Sequence, residues 1–274
     1  METAIDRESG IDSDLDRNVS REISPHDAMF AGNYDHYFGV GRSALRNIRL
    51  AMQAAGKPAA DVRRILDLPS GHGRVLRSLR AAFPSAAITA SELDRDGVDY
   101  CARTFGAEPS YGAEELAAQP DASRFDLIWC GSLLTHLDAP RWRWILELFD
   151  AQLAPGGLLL FTTHGRLVPR RVQAGWDYGL DVERLRQLIA GYQETGFGYV
   201  DYPNQAGYGI SLAKPSWTIA LLDRHPGLQR LLYLEHGWDD HQDVVACAKS
   251  PLLAPPGPSA ECHASIDWGI REES

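Results

Sequence analysis

The chain has 274 residues, 44% of them hydrophobic, so it can bury a substantial core as one large or two small domains. Its 37 acidic and 27 basic residues give a net charge of −10, which argues against an electrostatic grip on nucleic acid. The four cysteines form no CxxC pair, so neither a disulfide framework nor a zinc site is indicated. No apolar run approaches the ~18–20 residues of a membrane span, and the polar N-terminal sequence is not a secretory signal. We therefore expect a soluble cytoplasmic protein without a membrane partner.

Apolar strands alternate with amphipathic helices along the chain, and this alternation predicts a parallel sheet with helices on both faces. The predicted helices lie at 42–55, 73–82, 94–104, 140–153 and 181–194. The predicted strands lie at 63–68, 86–91, 108–111, 125–130 and 158–162, and two further apolar runs lie at 228–234 and 243–247. The charged segment 1–25 and the proline-rich segment 251–274 are predicted to be flexible.

A glycine-rich turn follows the first predicted strand. The strand ends in Asp67, and Gly71 and Gly73 then allow a sharp turn and the close approach of a ligand before the next helix. Glu92 follows the second strand. A glycine turn at one strand end with an acid at the next is the pattern that binds an adenosine ribose.

Three later segments make the pattern more specific: FDLIWCGSLLTHL at 125–137, LAPGGLLLF at 153–161, and the paired apolar runs near the C-terminus. With the glycine turn, they resemble class I S-adenosylmethionine (SAM)-dependent methyltransferases over 63–165 and 213–249. The chain departs from the commonest family turn at Pro69 and Ser70, where glycines are more usual.

The resemblance implies a fold, a cofactor and a reaction. The fold is a doubly wound α/β, Rossmann-like, seven-stranded sheet, mostly parallel with a reversed C-terminal edge hairpin and helices on both faces. The cofactor is SAM, with S-adenosylhomocysteine as product. The resemblance does not identify the methyl acceptor; because the acidic net charge disfavours DNA and RNA, a small molecule or a sugar is the default expectation. The implied domains are a helical cap at 26–62 and a SAM-binding methyltransferase domain at 63–250, with a lid-like insertion at 166–212.

NAD is the competing nucleotide, and two residues argue against it. Leu76 stands where a dinucleotide fingerprint has its third glycine, and Asp67 would repel a pyrophosphate. SAM carries an ammonium and a sulfonium instead, and Asp67 can hold the ammonium or else cap the turn.

Two other functions remain open. A different SAM-fold transferase, such as an aminopropyl transferase, would need an acid-rich polyamine pocket, and its spacing is absent. A non-catalytic SAM-fold binding protein would typically have lost the two glycines or Glu92. No Asn-Pro-Pro-Tyr-like motif follows the fourth strand, so the methylation of nucleic-acid bases is disfavoured as well.

Thirteen residues are predicted to bind the cofactor: Tyr37, Arg42, Asp67, Pro69, Ser70, Gly71, Gly73, Glu92, Leu93, Ala113, Glu114, Gly131 and Ser132. Glu92 is expected to accept hydrogen bonds from both ribose hydroxyls, with Asp94 as the rival acid. Leu93 is expected beside adenine or in the core. The resemblance places an N-terminal aromatic such as Tyr37 over SAM, and Arg42 can pair with the SAM carboxylate. Both residues can instead cap the sheet edge.

Two histidines are the candidate catalytic residues. His136 follows the fourth strand and His164 follows the fifth, and imidazole is the usual general base near neutral pH. A structural role at the pocket wall is the alternative for both. Asp239, Asp240 and His241 lack the spacing of a closed metal site, so a turn is expected there and no metal is predicted.

Overall fold

The computed structural model describes residues 17–118 and 124–250, which divide into two compact units, one in each range. The first unit contains three parallel strands, with β2 between the other two: β1 (Arg64–Asp67), β2 (Ala87–Ser91) and β3 (Glu108–Ser110). Its helices are α1 (Tyr34–Ala55), α2 (Leu76–Ala82), α3 (Arg95–Phe105) and α4 (Ala113–Ala117), with a 3-10 turn at Ala59–Asp61.

The second unit contains six strands. They are β4 (Phe125–Cys130), β5 (Leu153–Thr163), β6 (Phe197–Tyr202), β7 (Gln205–Ala213), β8 (Leu228–Trp238) and β9 (Gln242–Lys249). Its helices are α5 (Ala139–Gln152), α6 (Leu167–Gln173), α7 (Val182–Thr195) and α8 (Pro215–Leu222), with a 3-10 turn at Leu134–His136. Strand β5 pairs in parallel with β4 and antiparallel with β9, which in turn pairs antiparallel with β8.

The predicted fold class is confirmed. Seven strands form one sheet of order β3-β2-β1-β4-β5-β9-β8, mostly parallel, with the reversed hairpin at its C-terminal edge. Strands β6 and β7 form a separate antiparallel pair in the predicted insertion. The strands of the core are buried on both faces, as parallel strands covered by helices require.

Several predicted boundaries were wrong. Helix α1 begins at Tyr34 rather than at 42, because the Asn33 side chain accepts a hydrogen bond from the His36 N–H and so caps the helix there. Strand β5 begins at Leu153 rather than at 158, because Leu153 already pairs with Phe125. The β6–β7 hairpin was not predicted, since the glycines and tyrosines of this stretch do not follow a simple alternation.

The predicted domain limits remain predictions. Residues 1–16 and 251–274 lie outside the described residues, so most of the two expected flexible segments cannot be compared with the structure. Residues 17–25 are described, and Val19 packs in a buried cluster with Tyr37 and Phe38. Within the two described ranges, no helix combines the length and apolar character that crossing a membrane demands.

Candidate active site

Four of the predicted residues meet at the carboxyl ends of β1 and β2. The Gly71 N–H donates to Glu92 Oε2 at 3.2 Å, and the Leu93 N–H donates to Glu92 Oε1 at 2.7 Å. Asp67, the last residue of β1, is close enough for the charge of Glu92 to act on it. Parallel strands end at the same sheet edge, and ligands of such sheets bind there.

Asp67 is the most unusual group at this edge. Its side chain is 1% exposed, and neither carboxylate oxygen has a hydrogen-bond partner among the described residues. Burial, with a smaller contribution from the charge of Glu92, raises the pKa of Asp67 well above its ordinary value. A buried carboxyl without partners is costly for the folded chain, so its place at the strand end suits a cationic ligand group.

The structure distinguishes Glu92 from its rival. Asp94 is the N-cap of α3, where its Oδ1 accepts from the Asp96 N–H at 3.1 Å. Burial raises the pKa of Glu92, while the hydrogen bonds from Leu93 and Gly71 oppose that rise. Each carboxylate oxygen of Glu92 has two lone-pair sites, so both can accept a further hydrogen bond from a ligand.

The turn between β1 and α2 depends on close approaches. The Ser70 N–H donates to the Ser91 carbonyl at 3.0 Å, after the cis peptide bond that precedes Pro69. Gly73 has φ +80°, and a Cβ there would lie 2.5 Å from Phe105 Cε2. A Cβ on Gly97, in the first turn of α3, would lie 2.8 Å from the Gly71 carbonyl oxygen. Gly97 was missed in the sequence, although a glycine inside a helical pattern indicates such an approach.

The residues predicted to border adenine also come together. Leu93 is 39% exposed, which is unusual for a leucine beside buried strand ends. A Cβ on Gly112 would lie 3.1 Å from Leu93 Cδ2 and 3.2 Å from Glu114 Oε2, so both side chains flank this turn. Ala113 is buried, and burial raises the pKa of Glu114. An apolar and a hydrogen-bonding side chain thus stand side by side near Glu92.

Tyr37 and Arg42 lie in different surroundings from each other. Tyr37 is 1% exposed; its hydroxyl donates to Asp27 Oδ2 at 2.5 Å and accepts from Arg77 Nη2 at 3.2 Å. Burial, reinforced by Asp27, raises the pKa of the Tyr37 hydroxyl. Arg42 is exposed on α1, with Nη2 3.4 Å from the Asp35 carbonyl oxygen. The structure therefore gives Tyr37 a packing role, and a cofactor contact by either residue stays a prediction.

Arg77 is a residue that the sequence reasoning missed. It is buried, and it donates to the carbonyls of Gly73 at 2.9 Å and Ser20 at 3.2 Å. Its guanidinium also lies 5.1 Å from the ring centroids of Tyr37 and Phe105. Arg77 thus fixes the glycine turn and the segment around Ser20 within the first unit. An arginine on the buried face of a short helix is the signal that could have revealed it.

In the second unit, Gly131 and Ser132 directly follow β4. Gly131 is buried, and Ser132 has φ +66°. The Ser132 N–H donates to Thr162 Oγ1 at 2.7 Å, and Gln242 Nε2 donates to Ser132 Oγ at 3.1 Å. Thr162 Oγ1 in turn donates to Gln242 Oε1 at 2.5 Å. This polar network joins the ends of β4, β5 and β9.

Both candidate histidines are held by β7. His136 Nδ1 lies 2.8 Å from the Gly209 carbonyl oxygen, and His164 Nδ1 lies 3.2 Å from that of Ser211. A carbonyl only accepts, so each ring carries its proton on Nδ1 and presents a lone pair on Nε2. Burial lowers the pKa of both imidazoles, and for His164 the neighbouring His241 adds to the effect. Both rings are therefore neutral near pH 7, in the tautomer of a general base.

The turn between β8 and β9 carries the three residues that resembled a metal set. Asp239 and Asp240 have positive φ, while the His241 ring stacks on that of His164, with the ring centroids 5.3 Å apart. Among residues 17–118 and 124–250, no group of three or more His, Cys, Asp or Glu could hold a metal ion.

A comparison with family models shows to which protein family the chain belongs. A model described as a methyltransferase domain matches residues 40–201, more than half of the chain. The chain belongs to this family of SAM-dependent methyltransferases. The match begins within α1 and ends within β6, so it includes the glycine turn, Glu92 and both candidate histidines.

Individual methyltransferases show the same relationship. The malonyl-[acyl-carrier protein] O-methyltransferase of Halalkalibacterium halodurans is 27% identical over 150 residues, which are 52% of this chain and 55% of that protein. The chain thus matches only about half of the length of this relative. Two solved structures share the fold at 16% identity, each covering 84% of this chain. DesVI of Streptomyces venezuelae has a TM-score of 0.55, and the match covers 100% of its chain. CalS10, an amino pentose methyltransferase from Micromonospora echinaspora, has a TM-score of 0.54, and the match covers 99% of its chain.

Proposed function

We propose that this chain transfers a methyl group from SAM to a small-molecule or sugar acceptor and releases S-adenosylhomocysteine. The observation that carries the proposal is the buried carboxyl of Asp67, without partners, beside Glu92 at the glycine turn. Two acids at adjacent strand ends fit a ligand with a cationic end and a ribose, and they would repel a pyrophosphate.

Three parts of SAM, namely the ammonium, the ribose and the adenine, would each have a matching group in the first unit. Asp67 would hold the ammonium, because pairing with a cation removes the cost of burying its charge. Glu92 would accept from the ribose hydroxyls through the lone pairs that Gly71 and Leu93 leave unused. Leu93 would contact the adenine ring, with Glu114 at its polar edge.

The chemistry divides between cofactor and protein. Bound SAM supplies a methyl group on a sulfonium, whose positive charge makes the sulfur a good leaving group. The protein then contributes the position of the two reactants and, where the acceptor must lose a proton, a base. His136 and His164 are the candidates for this base, since each presents a neutral Nε2 lone pair.

One of the related proteins supports a sugar acceptor, since CalS10 is described as an amino pentose methyltransferase. The Halalkalibacterium halodurans relative is named for malonyl-[acyl-carrier protein], a group borne on a protein, so the family fold serves acceptors of different chemistry. The net charge of −10 disfavours nucleic acid for this chain.

Calorimetric titration with S-adenosylhomocysteine tests the proposal. We expect the wild type to bind, and Glu92→Ala to weaken binding by about 100-fold, because two hydrogen bonds to a charged carboxylate are lost. Asp94→Asn is the matched control, two residues away and at a helix cap, and it should change the affinity by less than about threefold. A folded wild type that binds neither SAM nor S-adenosylhomocysteine would refute the proposal.

A further inference from the structure

Four side chains of the second unit form what we name the imidazole cluster: His164, Arg171, Tyr178 and His241. The His164 and His241 rings stack at 5.3 Å with an interplanar angle of 26°. The Tyr178 ring lies 6.3 Å from His164 and 5.9 Å from His241, measured between centroids. Three rings therefore surround one small region at the end of β5.

The tautomer of His241 is fixed by Arg171. Arg171 Nη1 lies 3.1 Å from His241 Nδ1, and a guanidinium only donates, so Nδ1 must accept. Burial and the Arg171 charge lower the pKa of His241, which keeps the ring neutral with its proton on Nε2. That Nε2 is buried and has no hydrogen-bond partner among the described residues. The folded chain thus holds a buried N–H donor ready for an acceptor atom.

His164 has the opposite polarity. Its Nδ1–H donates to the Ser211 carbonyl, so its Nε2 presents a lone pair. Two stacked imidazoles therefore offer one N–H donor and one acceptor to a ligand. A hydroxyl group matches both, since it can donate its hydrogen to His164 and accept from His241 at the same oxygen.

We propose that the imidazole cluster binds the hydroxyl group of the methyl acceptor, so that the chain is an O-methyltransferase with His164 as the general base. This inference rests on the proposed function. As the oxygen–methyl bond forms and the sulfur–methyl bond breaks, the bonding pair stays on sulfur and the hydroxyl proton passes to His164 Nε2. The proton then leaves to water, and no further reactant is needed.

The cluster also discriminates against other acceptors. A carboxylate has no hydrogen to donate and would face the lone pair of His164. An ammonium has no lone pair for the His241 N–H and would lie near the Arg171 cation. A neutral amine has a single lone pair, which cannot both accept from His241 and attack the methyl group, whereas a hydroxyl oxygen has two. The other charged groups that act on His241 are Asp239 and His236, and those acting on His164 are His136 and Arg171. The Nε2 of His241 is buried and Tyr178 packs edge-on against the same ring, so the side chains around this nitrogen must shift when a ligand enters.

The ligand-free protein allows a first test. Nitrogen-15 NMR of labelled histidine should show His241 protonated on Nε2 and His164 protonated on Nδ1, both neutral at pH 7.5. Protonation of His241 on Nδ1, or of His164 on Nε2, would overturn the inference. This readout needs no SAM site, so it separates the inference from the proposed function.

The second test uses three probes of similar shape: phenol, benzoate and benzylamine. With S-adenosylhomocysteine bound, phenol should shift the His164 and His241 signals and bind at least about tenfold more tightly than the other two. His241→Phe keeps a ring but removes the N–H, and it should weaken phenol binding by about tenfold. His241→Gln retains a donor and should stay within about threefold of the wild type.

The outcomes are distinct. Equal binding of benzylamine and phenol, no phenol binding, or an unaffected His241→Phe would overturn the hydroxyl site. Calorimetry with S-adenosylhomocysteine should give the same affinity for wild type and His241→Phe. If the folded wild type does not bind S-adenosylhomocysteine at all, it is the proposed function that fails.

Discussion

The two units each bury an aspartate, and the two carboxyls have opposite surroundings. In the second unit, Lys249 Nζ donates hydrogen bonds to Asp150 Oδ1 and, at 2.9 Å, to the backbone carbonyl oxygen of Asp150. Lys249 is 2% exposed, so this is an enclosed ion pair between α5 and β9. In the first unit, Asp67 at the end of β1 is more deeply buried, at 1% exposure against 8% for Asp150, and its carboxylate has no partner among the described residues.

The contrast separates an acid that stabilises the fold from an acid that we propose binds a cationic ligand group. A buried charge is tolerated when an opposite charge and hydrogen bonds compensate it, as Lys249 does for Asp150. Asp67 lacks this compensation and instead has a pKa raised by burial. Groups that are costly for the free protein at a strand end are typical of functional sites.

The largest change in the free energy of unfolding is expected when the ion pair between Asp150 and Lys249 is broken. Asp150→Ala leaves the Lys249 ammonium buried without its partner, and this should lower the free energy of unfolding by about 3–5 kcal/mol. Urea denaturation at pH 7 would measure it. The double variant Asp150→Leu with Lys249→Met should recover most of the loss, because no unpaired charge remains. A single variant as stable as the wild type would contradict the role of the pair.

Asp67→Asn is expected to raise the free energy of unfolding, whereas Asp150→Ala lowers it. The raised pKa of Asp67 means that the folded state loses stability as the pH rises from the ordinary value of 3.8 towards the raised one. The neutral amide avoids this, so at pH 7 the ligand-free variant should be about 1–3 kcal/mol more stable. Urea denaturation of both proteins at pH 3.5 and pH 7 should show the gain only at pH 7. A variant less stable than the wild type at pH 7 would break the comparison between the two aspartates.

A smaller effect is expected at Gly97, which allows α3 to approach the glycine turn. Gly97→Ala places a Cβ 2.8 Å from the Gly71 carbonyl oxygen, so the turn or the helix must shift, at a cost of about 1–3 kcal/mol. Because Gly71 contacts Glu92, we also expect S-adenosylhomocysteine to bind about tenfold more weakly by calorimetry. Gly39→Ala is the control, since its Cβ would meet only Arg42 Nη2 at an ordinary 3.6 Å. Equal affinities for the two variants would show that the approach of α3 does not support the turn.

The smallest effect is a pH dependence in the second unit. The lowered pKa of His164 means that only the unfolded chain takes up its proton as the pH falls through 6.5. Stability should therefore decline on acidification, with His164 contributing up to about 1.4 kcal/mol per pH unit. In His164→Gln, the slope of unfolding free energy between pH 7.5 and 5.5 should be flatter. Among the histidines that remain, His136, His225 and His241 also have lowered pKa values, so some slope persists.

The local sequence patterns predicted the sheet and the strand-end acids well. A strand ending in Asp67, the glycine turn and Glu92 form within about thirty residues, so short-range periodicity and turn chemistry suffice. Asn33 and Asp94 were also readable as helix caps, and giving more weight to capping would have corrected the start of α1 and assigned Asp94 to the cap of α3.

The surroundings of the candidate histidines were less predictable, because their contacts join residues distant in sequence. His136 and Gly209 are 73 positions apart, and Arg171 and His241 are 70 apart. The tautomers of His164 and His241 cannot be read from a local sequence pattern, because a carbonyl of β7 fixes that of His164 and the Arg171 guanidinium fixes that of His241. The sequence could name His136 and His164, but only the fold shows which nitrogen of each is available.

Binding of S-adenosylhomocysteine to Asp67→Asn is the sharpest test of Asp67 as the group that holds the cofactor. Asparagine keeps the size of the side chain and removes the charge that would hold the cofactor ammonium. We predict that calorimetry at pH 7.5 will show binding by the wild type and about 100-fold weaker binding by the variant, from the loss of a charge-assisted hydrogen bond. Equal affinities in two folded proteins would contradict the account, because Asp67 would then be a buried acid without a ligand.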